Sequence, residues 1–343
     1  MSSGTLKEVT ALYSAYPYPT PAVGEMLITD LSNAIQHIAE REYYLGKSIL
    51  DAGCGTGHRA VSIAKSLPGT QVVGIDVTES SLEIACRLAQ YHNVRNLNFR
   101  KHDLTIPNNQ TFDIVVSTGV INCISDYPTA LSNLLRCVNP DGYMLLWLYH
   151  TYGEYERLID RQLALLILKT LHPSAASDQL SILRKLQLSL PSDQYGTMPI
   201  RQRIECNQAS IDADAYLHPV VNTFTFGSIT EILERSGAEW TAINGVNWRG
   251  QSKLLDLTGQ AKDSYFMVQN VDLFSDPELQ RVFESLTLTD KLSVIELRLK
   301  PTAFSVVAGK GKSYTHLMPR ISGNLNRAGL ANSDRGLSGG SAL

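Results

Sequence analysis

The chain has 343 residues, of which 43% are apolar and 18% charged, as in a globular protein that buries a core. Its formal net charge of -3 gives no electrostatic reason to expect nucleic acid or an anionic membrane as the main partner. No apolar run approaches the roughly 20 residues of a membrane span, and the N-terminus lacks the apolar stretch of a secretory signal. Five scattered cysteines without zinc-finger spacing favour free thiols, no metal site and a cytoplasmic location.

Residues 47–150 are predicted to alternate between buried strands and amphipathic helices. The predicted strands are "KSILDA", "TQVVGID", "LNFRKHD", "FDIVVST" and "GYMLLWLYH". The predicted helices between them are "HRAVSIAKSL", "SSLEIACRLAQYH" and "YPTALSNLLRCVNP", the last of which ends at Pro140 and Gly142. Apolar strands that alternate with amphipathic helices indicate a doubly wound α/β fold, with a mostly parallel sheet covered on both faces.

After His150 the pattern changes. Residues 154–172 and 177–190 are predicted to form two leucine-rich helices, and 191–222 a loop-like segment. The alternation then returns with a helix in "FGSITEILERSG" and strands in "AEWTAINGV" and "SYFMVQNVD". Residues 276–309 add a helical pair and an edge strand, "AFSVVAG".

These changes divide the chain into five parts. They are an N-terminal lid segment (1–46), the ligand-binding core (47–150), a helical insertion after the fifth strand (151–222), the completion of the sheet (223–309) and a flexible tail (310–343). We expect the insertion to cover a substrate pocket, because an added helical layer can enclose an apolar ligand. A homodimer interface is the alternative for this insertion.

The stretch "LDAGCGTGHR", residues 50–59, places three glycines directly after the first strand. This is the carboxyl end of a parallel sheet, where such sheets bind ligands. The spacing of Gly53, Gly55 and Gly57 is GxGxG, which differs from the GxGxxG of dinucleotide-binding proteins. Asp51, in front of the glycines, would repel a pyrophosphate and suits a ligand with an amino group or a positive charge.

Two further acids follow the next two predicted strands. Asp76 ends the second strand, and its carboxylate can accept hydrogen bonds from both hydroxyl groups of a ribose. Asp103 ends the third strand and can accept a hydrogen bond from an adenine amino group. One such acid is most simply explained by a turn or a helix cap, but three at the same edge behind a glycine loop indicate a nucleoside site.

This constellation resembles the class I S-adenosylmethionine-dependent methyltransferases: "LDAGCGTG" is similar to their first motif, "GID" to their second acidic position and "HD" to their adenine-side position. The resemblance covers residues 47–150. It implies a seven-stranded sheet whose last strand runs antiparallel, with S-adenosylmethionine as cofactor. The cofactor contacts that it implies are Asp51, Gly53, Cys54, Gly55, Gly57, Asp76, Val77, Asp103, Leu104, Gly119 and Val120.

Catalytic residues are poorly marked, because methyl transfer from a sulfonium needs little more than alignment and, for some acceptors, a base. We predict His150, His218 and Tyr18 as base or substrate-orienting groups, with a structural hydrogen bond as the alternative for each histidine. The segment "AYPYP" is either a lid or a surface clamp on the core. The predicted substrate contacts are Tyr16, Asn122, Tyr152 and Arg201.

The sequence therefore predicts a methyltransferase that acts on O or N of a small molecule in specialised metabolism. The alternatives are methylation of a peptide or protein side chain or carboxyl group, and a cofactor-binding scaffold without activity. A nicotinamide oxidoreductase is the remaining rival. The weak overall charge argues against a nucleic acid as the acceptor.

Overall fold

The computed structural model describes residues 3–19, 26–38, 41–171, 176–190, 208–248, 251–257, 268 and 271–314. In this part of the chain eight strands form one sheet: β1 (Ser48–Ala52), β2 (Gln71–Asp76), β3 (Leu97–Lys101), β4 (Phe112–Thr118), β5 (Val138–Tyr149), β6 (Trp240–Trp248), β7 (Gln251–Asp256) and β8 (Ala303–Gly309). Their spatial order is β3-β2-β1-β4-β5-β8-β6-β7. The strands β1 to β5 pair in parallel, and β8 is antiparallel to both of its neighbours.

The described helices are α1 (Ser3–Ala15), α2 (Asp30–Ile38), α3 (His58–Ser66), α4 (Glu79–Tyr91), α5 (Tyr127–Arg136), α6 (Tyr155–Leu171), α7 (Ala176–Lys185), α8 (Gln208–Asp212), α9 (Phe226–Arg235), α10 (Pro277–Ser285) and α11 (Leu288–Leu299). A π-helical turn, Ala213–Leu217, continues α8. No helix among the described residues is long and apolar enough to cross a bilayer.

Two apolar cores cover the two faces of the sheet. On one face α2, α3 and α4 pack on the sheet around Ile49 and Val116. On the other face α5, α9, α10 and α11 pack around Leu146 and Phe304. This arrangement confirms the predicted doubly wound, mostly parallel fold, because side chains that alternate along each strand need a helical layer on both sides.

Most predicted elements of residues 47–150 are confirmed, but β5 begins earlier than expected. The predicted helix extends to Pro140, whereas α5 ends at Arg136 and β5 already begins at Val138. The amide of Phe112 donates to the carbonyl of Cys137 at 2.7 Å, which joins this segment to β4 immediately after the helix. The pairing between the two strands is interrupted by a register shift next to Phe112.

The later elements differ in three respects. Residues 208–217, predicted as part of a loop, are helical. The segment "AFSVVAG" is strand β8 and lies inside the sheet between β5 and β6, so its prediction as an edge strand was wrong. Strand β7, which the sequence analysis did not predict, pairs with β6 and lies at the edge of the sheet. The predicted strand in "SYFMVQNVD" and the tail beyond Tyr314 lie largely or wholly outside the described residues.

The insertion has a small apolar core of its own. Ala164 and Leu168 of α6, Leu183 of α7 and Tyr216 of the π-helical turn pack together, and Leu12 and Tyr16 of the N-terminal segment pack against them. The outer side of α6 exposes the apolar side chains Ile159, Leu163 and Leu166. The proposed domain boundaries, the cover and the dimer interface stay predictions.

Candidate functional site

The glycine loop between β1 and α3 is bound tightly to β2. The amides of Gly53 and Cys54 both donate to the carbonyl of Ile75, at 2.8 and 2.9 Å. Gly53 has a φ of 82°, and a Cβ atom there would lie 2.3 Å from Val120 Cγ2. Glycine is required at this position because the left-handed backbone and the close approach of Val120 both exclude a side chain.

Asp76, at the end of β2, organises the same loop. Its Oδ2 accepts a hydrogen bond from the Gly55 amide at 2.9 Å, and its Oδ1 accepts one from the Thr78 amide at 2.8 Å. Burial raises the pKa of this carboxyl group, although both backbone contacts lower it. Each carboxylate oxygen has a second lone pair, so the two backbone bonds leave acceptor capacity for the hydroxyl groups of a ribose.

Asp51 is buried at the end of β1, and its Oδ2 has no hydrogen-bond partner among the described residues. Burial raises the pKa of this carboxyl group to about 7, with the nearby Arg59 lowering it and Asp76 and Asp30 raising it. A buried carboxylate oxygen without a partner is costly. The ammonium group of S-adenosylmethionine would supply the missing partner, so this residue fits the predicted cofactor.

An ion pair beside Asp51 has no counterpart in the sequence predictions. Arg59 of α3 contacts both carboxylate oxygens of Asp30, with Nη2 at 2.8 Å from Oδ2 and Nε at 3.0 Å from Oδ1. The two residues are 29 positions apart, and only the packing of α2 on α3 brings them together. This pair anchors α2 next to the glycine loop.

The remaining predicted cofactor residues lie at the same edge. Asp103 Oδ1 accepts hydrogen bonds from the amide and the hydroxyl of Thr105, at 2.9 and 2.8 Å, so the carboxyl group supports a turn. The side chain of Leu104 is buried, and that of Val77 is half-buried. Gly119 follows β4 with a φ of 73°. The cofactor roles of these residues stay predictions.

The segment "AYPYP" lies directly on the glycine loop. The hydroxyl of Thr56 donates to the carbonyl of Pro19 at 2.7 Å, and a Cβ atom on Gly55 would lie 2.3 Å from the carbonyl oxygen of Tyr18. Tyr16 instead packs against the core of the insertion. The segment therefore connects the loop with the insertion, as a lid would, and its contact with the loop runs through backbone atoms.

His150 lies in the apolar core. Its side chain is fully buried, its Nε2 lies 2.9 Å from Glu296 Oε1, and its Nδ1 accepts a hydrogen bond from the Tyr152 amide at 3.2 Å. Both ring nitrogens are thus engaged within the protein. The structure therefore favours a structural hydrogen bond as the role of His150. Successive residues of a strand face opposite sides of the sheet, and the neighbouring Tyr149 is the residue that faces the insertion.

His218 is also buried, but one of its ring nitrogens has no partner. Its Nδ1 contacts the backbone of Val220, whereas Nε2 has no hydrogen-bond partner among the described residues. Burial lowers the pKa of this imidazole, which keeps it neutral. When Nδ1 donates to the carbonyl of Val220, Nε2 presents a free lone pair, which is the tautomer that a general base needs.

His218 belongs to a buried polar cluster that sequence reasoning did not find. The cluster brings together α1, the turn after β4, α6 and the π-helical turn, and its members are Tyr13, Cys123, Arg157, Arg161, Asp214 and His218. The hydroxyl of Tyr13 donates to Asp214 Oδ1 at 2.7 Å, across 201 residues of sequence. The sequence shows that α6 carries two arginines four residues apart, but not which element meets them.

The predicted substrate residues that the structure describes do not lie together in one place. Asn122, fully buried in the short helical turn after β4, donates from Nδ2 to the carbonyl of Asn222 at 2.9 Å, and its Oδ1 has no partner among the described residues. Tyr152 lies beyond β5, with 37% of its surface exposed and its ring against that of His150. Arg201 lies outside the described residues. Their substrate roles stay predictions.

Residues 45–172 match the protein family described as "Methyltransferase domain". With the fold and the glycine loop at the carboxyl edge of the sheet, this match identifies residues 45–172 as a methyltransferase domain of the class I S-adenosylmethionine-dependent type. S-adenosylmethionine is the cofactor of this class. In the described residues no group of three or more His, Cys, Asp or Glu side chains could hold a metal ion.

Two individual relatives share 30% sequence identity or less with this chain. An uncharacterized protein of Synechococcus sp. is 26% identical over 69% of this chain and 60% of its own length. The ubiquinone biosynthesis O-methyltransferase of Coxiella burnetii is 30% identical over 40% of this chain and 59% of its own length. The chain thus spans less than two thirds of the curated relatives that it matches.

One solved structure has a comparable overall fold. PKMT2 from Rickettsia typhi in complex with AdoHcy superposes with a TM-score of 0.55 and 14% sequence identity, and the match covers 81% of this chain and 52% of that one. At this identity the similarity extends to the fold alone.

Proposed function

We propose that this chain transfers a methyl group from S-adenosylmethionine to an oxygen or nitrogen atom of a small molecule in specialised metabolism. When bound, S-adenosylmethionine supplies an electrophilic methyl group on its sulfonium. The observation that carries the proposal is the buried Asp51 Oδ2, which lacks a partner beside the glycine loop of a methyltransferase domain. The O-methyltransferases among the relatives support an oxygen acceptor.

The residues of the chain have three tasks in this proposal. Asp51, Asp76 and the glycine loop bind and orient the cofactor. The segment "AYPYP" and the insertion are proposed to exclude water from the reacting atoms, a role supported by the contacts of that segment with both the glycine loop and the core of the insertion. His218 Nε2 is proposed to accept the proton that an oxygen acceptor loses, and Tyr18 to orient the acceptor.

Peptide or protein methylation and a silent scaffold remain the alternative functions. The buried polar cluster favours methyl transfer to a small molecule over these two alternatives. Its unpartnered polar atoms lie inside the protein rather than on an open groove. We also propose a cytoplasmic location, because Cys54, Cys123 and Cys137 are free and buried.

A thermal-shift comparison tests the cofactor assignment. S-adenosylhomocysteine is expected to raise the unfolding midpoint of the chain by several degrees at saturating concentration, because a ligand that binds only the folded state stabilises it. NAD at the same concentration is expected to give no shift. Protection by NAD without protection by S-adenosylhomocysteine would refute the proposal in favour of the oxidoreductase.

The pKa of Asp51 predicts how cofactor affinity depends on pH. Because the ammonium group pairs with the ionised carboxylate, S-adenosylhomocysteine binding is expected to weaken as the pH falls below about 7, by up to about tenfold per pH unit. Isothermal titration at pH 5.5 to 8 measures how the affinity for S-adenosylhomocysteine changes with pH. Asp51→Asn should remove the pH dependence that comes from Asp51 and leave the pH dependence that comes from Asp76. An unchanged slope in Asp51→Asn would contradict the assignment.

The stability of the unliganded protein should show the opposite trend. A carboxyl group whose folded pKa is raised contributes stability that is fully present below its unfolded pKa of about 3.9 and is lost as the pH rises through about 7. Asp51→Asn is therefore expected to be more stable than the parent chain at pH 8 and about equally stable near pH 4, as measured by urea unfolding.

A further inference from the structure

The buried polar cluster contains more hydrogen-bond donors than the described residues can satisfy. Arg157 Nη2 and Arg161 Nε are both buried and both lack a hydrogen-bond partner there. The two arginines are four positions apart on α6, so their side chains extend along the same face of the helix. Two unsatisfied guanidinium nitrogens inside a protein are costly, and such groups are completed in native proteins by ordered water, an ion or a ligand.

The charges of the two arginines are not balanced equally. Arg157 forms an ion pair with Glu154 and donates from Nη1 to the carbonyl of Ala215 at 2.6 Å. Arg161 contacts only the carbonyl of His218 and forms no ion pair in the described part of the chain. Burial and the neighbouring Arg157 lower the pKa of Arg161, which is the response of a cation that lacks a counter-charge.

The one acid of the cluster does not supply this counter-charge. Asp214 accepts a hydrogen bond from Tyr13 and lies beyond ion-pair distance of both guanidinium groups, although its field favours the charged form of Arg157. The two buried nitrogens without a partner, Arg157 Nη2 and Arg161 Nε, can each donate to one oxygen of a carboxylate. A phosphate would bring further negative charge close to Asp214, so a carboxylate fits the two arginines better.

The position of the cluster connects it with the reacting atoms. Cys123 ends the short helical turn Ile121–Cys123 after β4, and Val120, directly before this turn, lies against Gly53 of the cofactor loop. Tyr13 precedes the "AYPYP" segment that lies on the same loop. The cluster therefore lies at the carboxyl edge of the sheet, on the side where a methyl acceptor must bind.

We propose that Arg157 and Arg161 bind a carboxylate group of the methyl acceptor and so select acidic small molecules. This inference rests on the proposed function and adds the substrate class to it. Because the arginines anchor the acceptor through a carboxylate, His218 Nε2 and the buried Asn122 Oδ1 are left to contact its other polar groups.

The test compares four carboxylates with their matched amides. Acetate, benzoate, phenylacetate and 4-hydroxybenzoate, each beside its amide, are titrated at equal ionic strength into the chain saturated with S-adenosylhomocysteine. At least one carboxylate is expected to bind ten times more tightly than its amide. Arg161→Gln should abolish that difference, while Lys169→Gln, which removes an exposed charge from the same helix, should preserve it.

The outcomes separate this inference from the proposed function. If none of the four carboxylates binds better than its amide, or if the preference persists in Arg161→Gln, the inference is refuted even though S-adenosylhomocysteine binds. If S-adenosylhomocysteine does not bind, the proposed function fails, and the same titrations on the chain alone still decide the carboxylate site. Should Arg161→Gln fail to fold, Arg161→Lys replaces it and is expected to reduce the preference, because it lacks the Nε donor.

Discussion

Asp76→Ala is expected to weaken S-adenosylhomocysteine binding by about 100-fold or more. The change removes the two charge-assisted hydrogen bonds that we propose between Asp76 and the ribose. Each is expected to contribute about 1.5 kcal/mol or more, and a tenfold change in affinity corresponds to about 1.4 kcal/mol. It also removes the acceptor of the Gly55 amide, which loosens the glycine loop. Isothermal titration calorimetry of the folded variant measures the loss.

A matched control separates the ribose contact from a general effect of losing a carboxylate. Asp126 also accepts a backbone hydrogen bond, from Thr129 at 3.3 Å, but it is exposed at the start of α5. Asp126→Ala should therefore lose about 1 kcal/mol of stability and bind S-adenosylhomocysteine normally. Normal binding by Asp76→Ala would show that the ribose assignment is wrong.

Glu296→Ala is expected to lower the free energy of unfolding by about 3 kcal/mol or more. Glu296 is 3% exposed, and its Oε1 contacts both His150 Nε2 and the amide of Phe226. Its removal leaves two buried donors without an acceptor, which costs far more than the loss of a surface contact. Urea unfolding measures the change, with Glu284→Ala on the exposed side of α10 as a control near zero.

A double variant tests the physical reason. If the cost comes from unsatisfied donors, Glu296→Leu combined with His150→Leu should be more stable than Glu296→Leu alone, because an apolar partner removes one of those donors. The result also bears on His150. A gain in stability on its replacement is what we expect if His150 serves as the buried partner of Glu296, which is its structural alternative.

The alternation of strands and helices could be predicted from the sequence because most strands of the parallel core contain a short apolar run between amphipathic helices. The glycine loop and its acids could also be predicted from the sequence, because each lies at the end of a predicted strand. By contrast, the π-helical turn after α8 has no simple periodicity, and the segment that contains it was interpreted as a loop.

The long-range contacts of the site could not be predicted in the same way. Tyr13 meets Asp214, and Glu296 meets His150, only because tertiary packing brings distant elements together. The sequence does indicate that Glu296 has a partner. It is an acid on the same face of α11 as the buried residues Leu292 and Ile295, and a buried acid implies a buried partner. No pattern indicates which residue that partner is.

The position of β8 also determines when the sheet can be completed during synthesis. In the described sheet β6 and β7 are joined to β5 only through β8, whose residues come last among the eight strands. Until residue 309 has left the ribosome, β5 and β6 each keep a row of unpaired backbone groups exposed. The nascent chain thus holds two open strand edges for the time needed to translate some 60 residues beyond β6, about 3 to 12 s at 5 to 20 residues per second. We expect this interval, rather than the glycine-rich core, to be where folding of this protein competes with aggregation.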